Sequence, residues 1–182
     1  MTRNKLGEHI GCGCSCHHMD EIYNKTIDLK PWHIIHTLME EHKLILEFVG
    51  KLGSTTKSLE KAGNFVRAAS GIKGLQHIAK HLVEADKHHE REEKVLFPAL
   101  QKHGIVEPTI VMMGEHEELR ARKNALYNAA SSHKNMAYSD FVKSIKINSA
   151  FIANNLPNHI DKEDNILYQM ALLSLAKMNG KP

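Results

Sequence analysis

Two stretches of the sequence place a histidine four residues before a glutamate: "HHEREEKVLF", which begins at His88, and "HIDKEDNILY", which begins at His159. On a helix, residues four apart lie on the same face, with their Cβ atoms about 6 Å apart. His88 with Glu92, and His159 with Glu163, can therefore each direct an imidazole and a carboxylate at one point. Because these donor types bind transition-metal ions, each pair predicts one half of a metal site.

A second motif recurs with nearly the same offset. "MEEHKL" around His42 is matched by "MGEHEE" around His116, which gives 116 − 42 = 74 residues, while the first motif gives 159 − 88 = 71. Two motifs that recur in the same order indicate a helix pair used twice, related by an approximate two-fold axis. Both histidines lie within apolar helical stripes, so four imidazoles and two carboxylates are expected to converge in the interior.

The energetics of burial favour a pair of metal ions at this point. An unpaired buried carboxylate costs on the order of several kcal/mol, out of a total stability of about 5–15 kcal/mol, so Glu92 and Glu163 need a compensating charge. Six donors exceed the four of a structural zinc site, whereas two ions bridged by the glutamates use all of them. Imidazole and carboxylate without thiolate suit iron or manganese, with open positions for oxygen, nitric oxide or a bridging oxide.

The helical register of the first motif has an alternative, because His89 and Glu93 have the same spacing as His88 and Glu92. Apolar periodicity does not distinguish the two registers. The repeat favours His88, since a histidine lies eight residues before a leucine in both halves. We therefore predict that Glu93 faces outward and that His89 lies at the surface. The predicted inward stripes continue through Val95 and Ala99 on the second helix and through Ile166, Met170 and Leu173 on the fourth.

Three further charged residues lie beside the predicted donors. Glu41 and Glu115 each precede a histidine and either orient imidazoles from outside the site or are surface charges. Arg120, one turn after His116, either neutralises a carboxylate or extends to water.

Four long helical segments must position these side chains. Pro31 suits the first turn of a helix, and Gly63 with Asn64 ends that helix and caps the next. Strand signals are absent from the sequence and the connections are short and polar, so we predict an all-α fold, an antiparallel up-down four-helix bundle within residues 31–178. The helices are predicted at about 31–61, 64–103, 108–132 and 139–175.

Composition limits the range of functions. The chain has 182 residues, enough for one domain, and 24 Lys and Arg against 21 Asp and Glu. This balance gives no dense cationic stripe of the kind that binds nucleic acid. No apolar run approaches the roughly 20 residues of a membrane helix. We therefore expect a cytoplasmic protein without nucleic-acid or membrane partners.

The first 30 residues are polar and contain glycine, which predicts an N-terminal arm. "CGCSC" places Cys12, Cys14 and Cys16 in this arm. Because no second cysteine cluster completes a zinc or iron–sulfur site, we predict a reactive arm, with labile metal delivery or redox chemistry as the alternative.

Four motifs occur in order over about residues 32–175: "EEHKLIL", "HHEREEKVLFPAL", "VMMGEHEELR" and "HIDKEDNILYQMA". In this combination the chain resembles the haemerythrin-like (HHE cation-binding) superfamily and, within it, the bacterial iron-centre repair proteins that act under nitrosative and oxidative stress. The resemblance implies two iron ions in an oxo- or hydroxo-bridged di-iron centre. It also implies which residues bind them: His42, His88, His116 and His159 as terminal ligands, and Glu92 and Glu163 as bridges.

Three features depart from the patterns of these relatives. Oxygen-carrying haemerythrins have a second histidine four residues after that of the third helix, where this chain has Arg120, so reversible oxygen carriage is disfavoured. They also place an aspartate five residues after the last histidine, which makes Asp164 an alternative to Glu163. Repair proteins usually carry an N-terminal domain with an adjacent cysteine pair, and this chain has only "CGCSC".

The leading functional hypothesis is repair of iron centres or handling of nitric oxide and reactive oxygen. Its expected partners are a small diatomic ligand and damaged iron–sulfur proteins. The alternative is a module that binds or senses oxygen or nitric oxide without turnover. The third hypothesis is a helical bundle that binds no metal and serves only in protein interactions.

Overall fold

The computed structural model describes residues 29–179, with side chains up to Ser174, and every regular element in this range is helical. The cysteines of the predicted arm, Cys12, Cys14 and Cys16, lie outside the described residues. The elements, in chain order, are α1 (Ile34–Ala62), α2 (Phe65–Glu84), α3 (Asp86–Arg91), a first π-helical turn (Glu92–Leu96), α4 (Phe97–Lys102), α5 (Glu107–Ser131), a 3₁₀ turn (His133–Asn135), α6 (Tyr138–Lys162), a second π-helical turn (Glu163–Leu167) and α7 (Tyr168–Asn179).

These elements form four rods. The first rod is α1 and the third is α5, while the second runs from α2 through α4 and the fourth from α6 through α7. The long helices α1 and α5 each pack against both α2 and α6. Each rod therefore has two neighbours, and the short connections make consecutive rods antiparallel. The predicted all-α four-helix bundle is confirmed.

Local chemistry sets the ends of the first two rods. Gly63 ends α1 with a φ of 75°, a left-handed conformation that favours glycine. The Oδ1 atom of Asn64 then accepts a hydrogen bond from the backbone N–H of Arg67 at 3.0 Å and caps α2, as predicted. In the same way His33 caps α1, because its Nδ1 accepts from the N–H of Ile35 at 3.2 Å.

The bundle interior contains two apolar clusters with a polar layer between them. The larger cluster fills most of the bundle and includes Ile45 and Leu119. The smaller cluster lies near the other end of the rods and includes Leu38 and Met112. On the first and third rods the predicted histidines fall between these apolar residues, so the donor layer is closed above and below by hydrocarbon.

A π-helical turn begins at the glutamate of each repeated histidine–glutamate pair, and it changes the predicted stripes. A π turn contains one residue more than an α turn, so it rotates the face that points inward by one position. The prediction that Val95 and Ile166 point inward is therefore wrong, because they are 54% and 45% exposed while Leu96 and Leu167 are buried. The same rotation leaves Ala99 and Met170 half-buried and Leu173 exposed.

None of the helices in the described range combines the length and the apolar character that crossing a bilayer requires.

Candidate metal centre

The four predicted histidines meet as two pairs in the polar layer. The Nε2 atoms of His42 and His88 lie 2.9 Å apart. The Nε2 atoms of His116 and His159 lie 3.0 Å apart. All four side chains are buried. The structure therefore brings one histidine from each rod into the same layer, as two imidazole pairs.

Glu163 lies between the two pairs and is completely buried. Its Oε1 atom is 2.9 Å from the Nε2 of His159 and 3.3 Å from that of His116. Its Oε2 atom is 3.2 Å from the Nε2 of His42, in the other pair. One carboxylate thus faces both imidazole pairs, each with a different oxygen.

Glu92 reaches the same space from the opposite rod. Its Oε2 atom is 3.5 Å from the Nε2 of His88 and 3.5 Å from that of His116, so it also faces both pairs. Its Oε1 atom accepts a hydrogen bond from the hydroxyl of Tyr168 at 2.6 Å. Tyr168 is buried and its ring stacks against His42, with centroids 5.7 Å apart. Sequence reasoning missed this tyrosine, and the only available signal was its place in the repeat.

The outward-facing nitrogen of each imidazole is fixed by a carboxylate. Since a carboxylate only accepts hydrogen bonds, each Nδ1 donates, so a ring that carries no second proton presents the lone pair of Nε2 to the interior. The pairs are His42 with Asp164 at 2.8 Å, His88 with Glu41 at 2.9 Å, His116 with Glu93 at 2.8 Å, and His159 with Glu115 at 2.7 Å.

This outer layer decides between the alternatives that the sequence left open. Glu41 and Glu115 orient imidazoles, whereas the prediction that Glu93 faces outward is wrong. Arg120 donates a hydrogen bond to Glu93, so it neutralises a carboxylate. Asp164 accepts a hydrogen bond from Nδ1 of His42, just as Glu93 accepts one from Nδ1 of His116. The sequence signal for this shared role was that each of these acids directly follows an inward-facing glutamate.

His89 is buried, and the prediction that it lies at the surface is wrong. It is 3% exposed, and its ring stacks on that of His116 with centroids 3.9 Å apart and planes within 3°. Its Nδ1 atom has no hydrogen-bond partner in the described part of the chain. Burial and the nearby charge of Lys123 lower the pKa of His89 well below its ordinary value, which keeps the ring neutral.

A buried cation lies next to His89. Lys123 is 1% exposed, and its Nζ donates to the carboxylate of Asp86. Burial lowers the pKa of Lys123, while Asp86 acts in the opposite direction. Sequence reasoning missed this ion pair, because a lysine in a helix usually faces water.

The electrostatics of the layer show how strongly its charges depend on one another. Burial alone would lower the pKa of His42, but the neighbouring carboxylates of Asp164 and Glu163 raise it to about 9. Burial and the charge of His42 lower the pKa of His88 to about 4. Although burial raises the pKa of Glu163, the three imidazoles that face its oxygens hold it well below its ordinary value. Burial and the charge of Glu163 raise the pKa of Glu92 well above its ordinary value.

The donor geometry fits metal ions. Two nitrogens that bind one ion at about 2.1 Å and at a right angle lie about 3.0 Å apart, which matches the separations within both imidazole pairs. The Oε2 atoms of Glu92 and Glu163 are buried without a hydrogen-bond donor in the described range. Potential ligand atoms lie within 4.8 Å of one another in three groups: His42, His88 and Glu163; Glu92, His116 and Glu163; and His89, His116 and His159.

Comparison with known proteins agrees with this chemistry. A family model described as "Hemerythrin HHE cation binding domain" matches residues 33–171. The matched range contains all of the donors described above. No curated protein matches the chain with significant similarity.

Proposed function

Because the chain belongs to the haemerythrin HHE cation-binding family, we propose that its buried donors hold two iron ions and that it repairs iron centres or handles nitric oxide and reactive oxygen under stress. The observation that carries this proposal is the pair of carboxylates, each of which faces two imidazole pairs and has a buried oxygen without a donor among the described residues. Such orphaned oxygens are costly in an apolar interior unless a cation neutralises them.

The proposed ligands divide between the two ions according to the imidazole pairs. His42 and His88 would hold one ion, and His116 and His159 would hold the other. Glu92 and Glu163, which each face both imidazole pairs, would supply carboxylate oxygens to both ions. Imidazole and carboxylate donors without thiolate favour iron, with manganese as the other candidate.

Bound iron would supply one-electron redox changes and open positions for a small diatomic ligand. The chain's own residues prepare the site for this chemistry. The hydroxyl of Tyr168 donates its hydrogen bond to Oε1 of Glu92. Oε2 is then the oxygen of Glu92 that faces the imidazoles. Glu41 and Glu115 keep the Nδ1 protons of His88 and His159 in place, so the inward nitrogens remain available.

A surface pocket borders one imidazole of the donor layer. This pocket of about 240 Å³ lies between α1 and the second rod. Its walls combine apolar residues, including Phe48 and Ile45, with Glu41 and His88. The position of this pocket beside a proposed ligand is consistent with a small molecule that approaches the site from this side.

The same pocket favours a second candidate function, in which the protein binds or senses oxygen or nitric oxide without turnover. Both functions need the same ions, but they differ in the fate of the bound molecule and of the iron. A repair protein gives up iron or transfers electrons, whereas a binding module returns the ligand unchanged.

The experiment that tests the proposal is reconstitution with Fe²⁺ under anaerobic conditions, followed by iron quantification and an absorption spectrum. We expect two iron ions per chain and, after oxidation, oxo-to-iron charge-transfer bands near the ultraviolet. Stopped-flow mixing with oxygen then separates the two functions. Rapid autoxidation and transfer of iron to a damaged iron–sulfur protein support repair, and a stable reversible adduct supports the binding module. A chain that retains no iron contradicts both.

A further inference from the structure

A groove near the start of α2 lies well away from the donor layer. It has a volume of about 700 Å³ and runs between the first three turns of α2 and the segment from Ser131 to Lys134. Ser131 follows His116 on the same helix by 131 − 116 = 15 residues, which is about 22 Å along the helix axis. The volume falls in the range of about 300–1,000 Å³ that is typical of sites for small organic ligands.

The two walls of the groove are fixed to each other by contacts within the chain. Gln76 of α2 donates a hydrogen bond from Nε2 to the carbonyl of Ala130 at 3.0 Å, and Nδ1 of His133 donates to the same carbonyl at 2.8 Å. The ring of Phe65 lies against that of His133, with centroids 5.5 Å apart, and meets the ring of Tyr138 edge to face at 4.9 Å. The groove is therefore formed before any ligand arrives, which lowers the cost of binding.

The wall that α2 contributes is apolar. Val66 is 88% exposed and Ala69 is also exposed, so hydrocarbon faces solvent along this helix. From Val66 to Lys73 the helix advances by 73 − 66 = 7 residues, or about 10 Å. An apolar chain or ring system of that length would cover the stripe. The apolar residues that line this wall are Phe65, Val66, Ala69 and Ile72.

The rim of the groove carries positive charge. Lys73 lies on α2 and Lys134 on the opposite wall, and both are exposed. Neither ammonium group has an ion-pair or hydrogen-bond partner among the described residues, and none of the described residues that line the groove is acidic. The two pockets that border the donor layer differ in this respect, because each contains two glutamates. An anionic group in the groove is therefore attracted from both walls.

We propose that this groove binds a small amphiphilic anion, in which a carboxylate is joined to an apolar chain or ring. The apolar body lies along Val66 and Ala69, and the carboxylate lies between Lys73 and Lys134. A small ligand suits the groove better than a protein does, since a stable protein interface takes about 20–30 residues on each side, many more than line it. The site is separate from the donor layer, so this inference goes beyond the proposed function and does not depend on bound metal.

The test is isothermal titration calorimetry of the purified full-length chain with three probes that share the same alkyl chain. These are decanoate, decanol and decyltrimethylammonium, each kept below the concentration at which it aggregates. We expect decanoate to bind most tightly, decanol less tightly and the cation least. Replacing both lysines, as Lys73→Gln with Lys134→Gln, should weaken decanoate about 3- to 20-fold, because each exposed ion pair contributes modestly. Ala69→Glu, which puts a carboxylate into the apolar stripe, should weaken it about tenfold or more.

The matched control is Lys30→Gln with Lys102→Gln, which removes the same charge from exposed positions that do not line the groove. An equal loss in the control would assign the effect to net charge and overturn the site. Wild-type affinity in both groove variants, equal affinity for decanoate and decanol, or no decanoate binding at millimolar concentration would overturn it as well. An acidic helical peptide that binds where decanoate does not would make the groove a protein-docking surface, against the proposal.

Circular dichroism shows whether the variants fold. If they do not, the amide shifts of the isotope-labelled wild-type chain decide. Changes with decanoate that are confined to the surroundings of Val66 and Lys134 support the proposal, and changes confined to other regions overturn it. Iron content, measured on the same preparations, tests the proposed function separately, so the failure of one does not imply the failure of the other.

Discussion

Replacing Glu163 with glutamine should weaken the binding of both ions at once. The side chain is completely buried, and its two oxygens lie 2.9–3.3 Å from the Nε2 atoms of three imidazoles. Loss of a supporting partner costs about 10- to 100-fold in metal affinity, or about 1.4–2.7 kcal/mol for each ion. Since Glu163 faces both imidazole pairs, the product of the two binding constants should fall by about 100- to 10,000-fold.

The assay is an anaerobic titration with Fe²⁺ in the presence of a competing chelator of known affinity. Asp161→Asn is the matched control, because it removes the same charge from an exposed position two residues earlier on α6. The control should bind both ions with wild-type constants. If Glu163→Gln also does so, the carboxylate does not lie between the ions. If the control loses as much affinity as Glu163→Gln, the effect comes from net charge and not from the site.

Three further predictions concern the supporting residues. Tyr168→Phe removes the donor to Oε1 of Glu92, so the chelator-treated protein should lose about 1–3 kcal/mol in urea unfolding; an unchanged midpoint and slope would mean that another group satisfies this oxygen. Lys123→Met leaves the carboxylate of Asp86 without its buried partner and should cost about 3 kcal/mol in the same assay, whereas equal stability of variant and wild type would show that this ion pair adds nothing. His42, with a pKa raised to about 9, carries a proton at pH 7, and a bound ion must displace it; the apparent Fe²⁺ affinity should therefore rise by about tenfold per pH unit from pH 7 to 9, and a flat profile would contradict this.

The inner donors are predictable from sequence because their chemistry repeats. His88 and Glu92 recur as His159 and Glu163 with the same spacing. A helical pitch alone then places each pair on one face. The bundle is predictable from the same periodicity, since four amphipathic segments with short connections have few other ways to bury their stripes.

The register beyond the glutamates is not predictable from α-helical spacing, because the pitch changes there. Each π turn adds a residue directly after the histidine and glutamate. This shift turns Leu96 inward in place of Val95, and Leu167 in place of Ile166. The one sequence signal for the shift is that leucine and an aromatic residue occupy the same places after the glutamate in both halves.

The roles of His89 and Glu93 escape prediction for a related reason. Helical spacing presents the two registers as alternatives, whereas the structure uses both: His88 points between the rods with Glu92, and His89 and Glu93 lie against His116. A rod surrounded by two neighbours buries a face wide enough for adjacent residues. Single-face reasoning therefore underestimates how many polar side chains such a rod can bring inside.

The arrangement of the repeat also limits when during folding the proposed cations could bind. The bundle consists of two helical hairpins, one containing His42 and His88 and the other His116 and His159. The contact between Asp164 and His42 joins residues 122 positions apart, and contacts of such separation form slowly. Neither hairpin alone supplies both carboxylates, so under the proposed function a chain still emerging from the ribosome would hold a cation loosely at most. Tight retention would be reserved for the fully assembled molecule, in which the donor layer is buried away from bulk water.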